Sequence, residues 1–156
     1  MPHIHDKVDF TVEVFIVYKN KVLLRKHDKY KMWLSVGGHI ELDEDPNQAA
    51  VREVKEEVGL DIEIFSKDIP LFNLKDYKEL IPPKFLDRHR INPNHEHVVL
   101  VYFAKSFTDK IKQSEDELSE ECKWFTKEEI DNPSYGIKED IRFYAKKALE
   151  ELGVKD

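Results

Sequence analysis

Cys122 is the only cysteine in this 156-residue chain, so no intrachain disulfide can form. A lone thiol suits a reducing cytoplasm. No neighbouring feature marks it as a nucleophile, and Cys122 reads as a small core residue. Long apolar runs are missing: none approaches the roughly 20 residues that span a bilayer. The opening residues, Met-Pro-His-Ile-His-Asp-Lys, lack the apolar stretch of a secretory signal. Glycine is scarce, five in all. No flexible linker, repeat or low-complexity tract divides the chain, so one domain over residues 1–156 is expected. Bases are missing where a duplex would need them. The net charge is −7; between residues 41 and 57 seven acids face two bases, and residues 115–121 hold five acids and no base. Binding to a nucleic-acid backbone needs clustered Lys and Arg, so a duplex partner is excluded. A small polyanion stays open if metal ions bridge it to the carboxylates.

What is present alternates between strand and helix signals. Residues 10–18 are nearly continuous Val, Phe, Ile and Tyr, as in a strand buried on both faces. Lys19-Asn20 is a two-residue turn into a second strand at 21–26. Residues 33–36 form a short strand ending at Gly37-Gly38, where the backbone can bend or approach a ligand closely. Asp45 as N-cap, Pro46 at the first helical position and Gln48 as the reciprocal partner predict a helix start. At about 100° per residue, Val51, Val54 and Val58 share one face and Glu53, Glu56 and Glu57 another. Strands are expected at 61–65, with 71–74 continuing or pairing with it, at 98–107 and at 122–125. Thr126 caps a short helix at 127–130, and an amphipathic helix covers 138–152 up to Gly153. Residues 75–97, with Pro82-Pro83, Pro93 and three histidines, read as an irregular lid or binding loop. Mixed strands with two good helices argue for an α/β sandwich.

The acids of the predicted helix break two local rules. Glu53, Glu56 and Glu57 stand at i, i+3 and i+4, where like charges repel by roughly 0.2–0.5 kcal/mol per pair. Glu56 and Glu57 also precede Gly59, a C-terminal cap, where the helix dipole disfavours negative charge. Such breaches tend to mark functional sites, and a bound divalent cation would account for both.

The register of these acids extends further. Gly38, five residues, Glu44, seven residues, then Arg52-Glu53-Val54-Lys55-Glu56-Glu57-Val58-Gly59-Leu60 matches G-x5-E-x7-R-E-U-x-E-E-x-G-U, with U aliphatic. That pattern is the Nudix box, and the chain resembles the Nudix (MutT-like) hydrolases. Weaker similarities lie in Val22-Leu23-Leu24, in Trp33 before the glycines, and in Trp124-Phe125-Thr126-Lys127-Glu128-Glu129-Ile130. The resemblance implies an α/β/α sandwich with a mixed sheet and a catalytic loop-helix-loop. It also implies Mg²⁺- or Mn²⁺-dependent cleavage of a nucleoside diphosphate linked to another moiety. By the same resemblance Glu53, Glu57 and Glu56 are metal ligands, joined by the Gly37 carbonyl. Arg52 orients Glu53 and pairs with Glu44, Gly38 lets the backbone turn, and Gly59 closes the box. The general base is a box glutamate or an acid of a later loop: Glu121 first, with Glu117 and Glu120 as alternatives. Homodimers are frequent in the family. Two departures, Val36 where proline is common and His39 where a small or basic residue is common, bear on loop rigidity and substrate choice.

Other residues have bland readings beside their sharp ones. His95 and His97 share a strand-like face and suggest a transition-metal pair, although loop histidines usually hold no metal. His3 and His5 read as a polar terminus. His39 follows Gly38 directly and is a minor catalytic candidate. Tyr77 stands 17 residues past the box, as in dinucleoside polyphosphate hydrolases, while Pro70 is too early for the ADP-ribose branch. Trp33 and Trp124 offer rings to a base but stand in strand contexts where burial is the default. Alternative substrates are nucleoside triphosphates and dinucleoside polyphosphates. A non-catalytic ligand sensor would be expected to have lost box acids, and all of them are present.

Overall fold

The computed structural model describes residues 6–68, 70–113 and 121–154. The first strand, β1 (Val8–Tyr18), is the spine of the sheet. Val12, Val14 and Ile16 point to one face, Phe15 and Val17 to the other, and all are buried. Two-sided burial explains why the run is apolar without alternation. The turn at Lys19, with φ of 55°, leads into β2 (Lys21–Lys26), antiparallel to β1.

The remaining strands attach on either side. The short β3 (Trp33–Leu34) pairs with β2, and β4 (Val36–His39) pairs antiparallel with β1. After α1 (Pro46–Val58) come β5 (Ile62–Ile64), the small hairpin β6 (Asn73–Leu74) and β7 (Tyr77–Lys78), then β8 (Phe85–Asn92) and β9 (His95–Ser106). β9 runs parallel to β1 and takes β8 and β5 antiparallel on its far side. β10 (Glu121–Phe125) closes the other edge against β2. The sheet order is β10-β2-β1-β9-β5, a mixed arrangement. The chain ends in α2 (Lys127–Ile130) and α3 (Glu139–Leu152).

Helices cover both faces. Ala49, Ala50, Val54 and Val58 of α1 pack on Val12, Val14 and Ile16. Ile141, Ala145, Ala148 and Leu152 of α3 pack on Phe15, Val17 and Phe103. The α/β/α sandwich that the resemblance implies is therefore present. Among the described residues no helix is long and apolar enough to cross a membrane.

Three expectations need correction. Residues 75–97 are not one long loop. Asn47 at the start of α1 exchanges two hydrogen bonds, both 2.9 Å, with the backbone of Ile81. Beyond that anchor the chain enters β8. The strand was hidden because it lies at an edge: most of it is exposed and polar, so only Phe85 and Asp87 alternate inward. Next, residues 71–74 pair with β7 and not with the strand at 62–64. Last, Val51 is 44% exposed; the inner face of α1 uses alanines, so the helix lies close to the sheet.

Candidate active site

The local chemistry of α1 fixes where its acids point. Asp45 accepts from the Gln48 amide at 2.8 Å, and the Gln48 side chain accepts from the Asp45 amide at 2.9 Å. This capping box sets the first turn. At the other end Gly59 adopts φ of 70° and its N–H reaches the Lys55 carbonyl at 3.0 Å. Between these caps, Glu53 and Glu57 fall one turn apart on the side facing β4, with only 2% and 7% exposure. Glu56 falls outward, its side chain half-exposed.

Arg52 ties the box together. Its Nε donates to Glu44 Oε2 at 2.9 Å and its Nη2 to Glu44 Oε1 at 2.6 Å, a bidentate pair. Nη2 also donates to the His39 carbonyl at 3.0 Å, while Nη1 reaches Glu53 at 3.0 Å and Glu56 at 3.1 Å. Hydrogen bonding from Arg52 is the main reason the Glu44 carboxyl is held below its usual range. The same bonds push the Arg52 pKa up, so its charge is permanent. One guanidinium thus braces the loop, the strand and the helix.

The glycines matter for space. A Cβ on Gly38 would collide with the Glu53 carboxylate, and one on Gly37 with the Val12 carbonyl. Both residues sit in extended β4, opposite Val12 and Glu13. Their positions require absence of a side chain and not the freedom to turn, a correction to the reading from spacing. The Gly37 N–H donates to Glu57 Oε1 at 3.0 Å. Arg25, from β2, pairs with the other Glu57 oxygen.

A cavity of about 450 Å³ opens here, walled by Arg25, Gly37, Glu57, Glu13, His39 and His97. At one side Ser35 donates to Glu13 at 2.7 Å, and burial raises the Glu13 pKa. At another, His97 is lowered to about 4, first by burial and then by His39, His95 and His89 around it. Sequence reasoning missed Arg25, Glu13 and Asp9. For the two acids a signal existed: each is an acid beside or inside an otherwise apolar strand, and buried acids are rare without a purpose.

The other candidates lie apart or in the core. Trp33 packs edge-on against Phe125 at 4.9 Å, and Trp124 sits by Tyr18 with its indole N–H on the Asp109 carbonyl. Tyr77 is exposed against Phe72. Val36 is fully buried opposite Val14. Glu121 opens β10, exposed and in register with Lys26, one step from the Cys122–Arg25 pair. Glu117 and Glu120 lie outside the described residues, as do His3 and His5.

Carboxylate oxygens clustered on a buried helix face fit a hard divalent cation, which prefers oxygen donors. The space that Gly38 leaves for Glu53 belongs to the same arrangement. A Nudix domain model matches residues 9–147. The chain belongs to the Nudix hydrolase family. It is 37% identical to a Nudix-family hydrolase from Clostridium perfringens, with a TM-score of 0.79 over 92% of this chain and 97% of that one. A MutT Nudix hydrolase from Burkholderia pseudomallei shares the fold at 21% identity, with a TM-score of 0.65 over 94% and 99% of the two chains. Dihydroneopterin triphosphate diphosphatase of Haemophilus influenzae is 37% identical over 100 residues. That match spans 62% of this chain and 62% of the relative's length. Members of the family act on small nucleotide substrates and generally use a divalent metal.

Proposed function

We propose that this protein is a pyrophosphohydrolase using Mg²⁺ or Mn²⁺, acting on the diphosphate link of a nucleoside diphosphate joined to a further group. The observation that carries this reading is the pair Glu53 and Glu57, buried together on one helix face with Glu57 at the wall of a polar cavity. Water attacks a phosphorus of the anhydride and the bridging P–O bond breaks. The products are a nucleoside monophosphate and a phosphorylated remainder, or diphosphate. Held by Glu53, Glu57, Glu56 and the Gly37 carbonyl, a divalent cation would offset the charge of the anhydride oxygens and lower the pKa of a water.

The chain's own residues do the rest. Arg52 fixes Glu53 through a contact that Glu44 keeps rigid. Arg25 offers a guanidinium at the cavity wall, suited to phosphate oxygens once Glu57 turns to the cation. Glu121 takes the proton from the attacking water, with Glu117 and Glu120 as its alternatives. Glu121→Gln is expected to lower kcat by about 10²–10⁴, the usual worth of a general base, with little change in KM. The same loss in Glu117→Gln or Glu120→Gln instead would move the role there.

A triphosphate substrate is the second reading. It is favoured by the name of the Haemophilus relative and by the Glu13–Ser35 pair in the cavity. The buried Glu13 carboxyl presents acceptor oxygens, matching the N–H edge of a guanine or dihydropterin ring. Turnover of nucleoside diphosphate sugars, dinucleoside polyphosphates, GTP and dihydroneopterin triphosphate with Mg²⁺, reading monophosphate products and diphosphate release, separates these readings. Diphosphate release from a triphosphate alone would replace the first with the second. No turnover of any would favour the ligand-sensor reading.

A further inference from the structure

We propose that Asp9, His39, His95 and His97 form a second metal site, suited to a borderline transition ion such as Zn²⁺ and separate in chemistry from the carboxylate site. The sheet builds it. Asp9 in β1 lies in register with His97 in β9, and His95, two residues before, shares the face of His97. His39 arrives on β4, whose pairing with β1 sets it opposite Thr11, the same-face neighbour of Asp9. β1 and β9 thus deliver three mutually close donors, Asp9, His95 and His97, and β4 brings His39 beside Asp9.

The distances suit a cation. Asp9 Oδ2 is 3.1 Å from His39 Nε2 and 3.7 Å from His95 Nε2. Around a tetrahedral Zn²⁺ with arms of 2.0–2.1 Å, ligand atoms stand ~3.3 Å apart. Donor atoms of Asp9, His95 and His97 all lie within 4.8 Å of one another, so His97 needs only a small inward swing. The His97 ring centroid is 5.2 Å from that of His39 and 5.0 Å from that of His95.

Orientation is also set. His95 Nδ1 lies 3.0 Å from the Asp6 carbonyl. A carbonyl only accepts, so Nδ1 carries a proton, and Nε2 is the ring nitrogen turned to the cluster as the donor atom for a metal. Metal-binding histidines are ordinarily held in this way by a second partner. Asp9, His39 and His95 are all buried, which keeps water from competing. Imidazole donors select Zn²⁺ over Mg²⁺, whereas the glutamates prefer the harder ion. Because His39 and His97 also line the substrate cavity, the ion would place positive charge on its wall.

Full-length protein, stripped with chelator and dialysed against Zn²⁺ in excess Mg²⁺, tests the proposal by elemental analysis. Wild type is expected to retain about one equivalent of zinc per chain, the content of one closed site. His95→Gln/His97→Gln is expected to lose it; Glu57→Gln and His3→Gln/His5→Gln are expected to keep it. X-ray absorption of zinc-loaded wild type needs no variant, and covers the case in which the histidine double variant does not fold. Two or more imidazole ligands are expected there. Wild type without zinc, zinc lost in Glu57→Gln or in the His3/His5 variant, zinc kept in the folded His95/His97 variant, or fewer than two imidazoles would each overturn the site.

Discussion

Glu57→Gln is expected to lower divalent-metal-dependent turnover by on the order of 10²–10³, the usual effect of removing one group that stabilises developing charge. The substitution is nearly isosteric, so the Gly37 N–H keeps an acceptor in the amide oxygen. What disappears is the negative charge. In the metal-free protein that charge faces Arg25, and removing one partner of a well-buried pair costs about 3–5 kcal/mol. Both side chains here keep some exposure, so the cost should fall below that range and the fold should survive. Thermal melting with and without Mg²⁺ separates the two effects. A ligand at 100 times its Kd stabilises by about 2.7 kcal/mol, which in a chain of this size raises Tm by several degrees. Wild type should show that rise and Glu57→Gln should not. Full turnover by the variant would place the metal elsewhere.

The second large effect is expected from Gly38→Ala. Backbone strain is not the reason, since Gly38 lies in extended β4 while the left-handed glycines are Gly59 and Gly136. The added methyl lands on the Glu53 carboxylate. Glu53 cannot swing away, because it is buried and Arg52 holds it. Overpacking of this kind costs about 1–3 kcal/mol, and it displaces the acid on which the proposed metal site depends. Turnover should therefore fall by about 10²-fold or more, as for loss of a charge-stabilising group. Gly136→Ala is the control. Its Cβ would meet nothing within 4 Å, so a left-handed penalty of roughly 1–2 kcal/mol should leave kcat unchanged. Equal loss of turnover in both variants would show that general destabilisation, and not the Gly38–Glu53 contact, is responsible.

Much of the fold was legible because local signals and burial agree. The apolar run that became β1, the capping box at Asp45 and the Val54–Val58 pair of α1 all state their structure within a few residues. β8 was not legible, because its pairing satisfies the backbone without burying a regular apolar face. The two-strand split at Ser35 was likewise silent, since β3 and β4 differ only in which neighbour they join.

The candidate site divides the same way. Glu44, Arg52, Glu53, Glu56 and Glu57 are close in sequence, so one helix and its leading loop suffice to gather them, and spacing alone reveals the set. Arg25 and Glu13 come from other strands, and only sheet register carries them to Glu57 and Ser35. The histidine cluster is further still from local reading: Asp9, His39, His95 and His97 meet because β1 pairs with β4 on one side and β9 on the other.

The sequence by itself determined the acid register, the capped helix that presents it and the family to which the chain belongs. Each depends on contacts within one or two helical turns, where spacing is geometry. Tertiary structure decided the cavity, the Arg25–Glu57 pair, the steric role of Gly38 and the histidine–aspartate cluster. Those depend on contacts between different elements, joining residues as much as 89 apart, a separation at which the chain's order no longer specifies who meets whom.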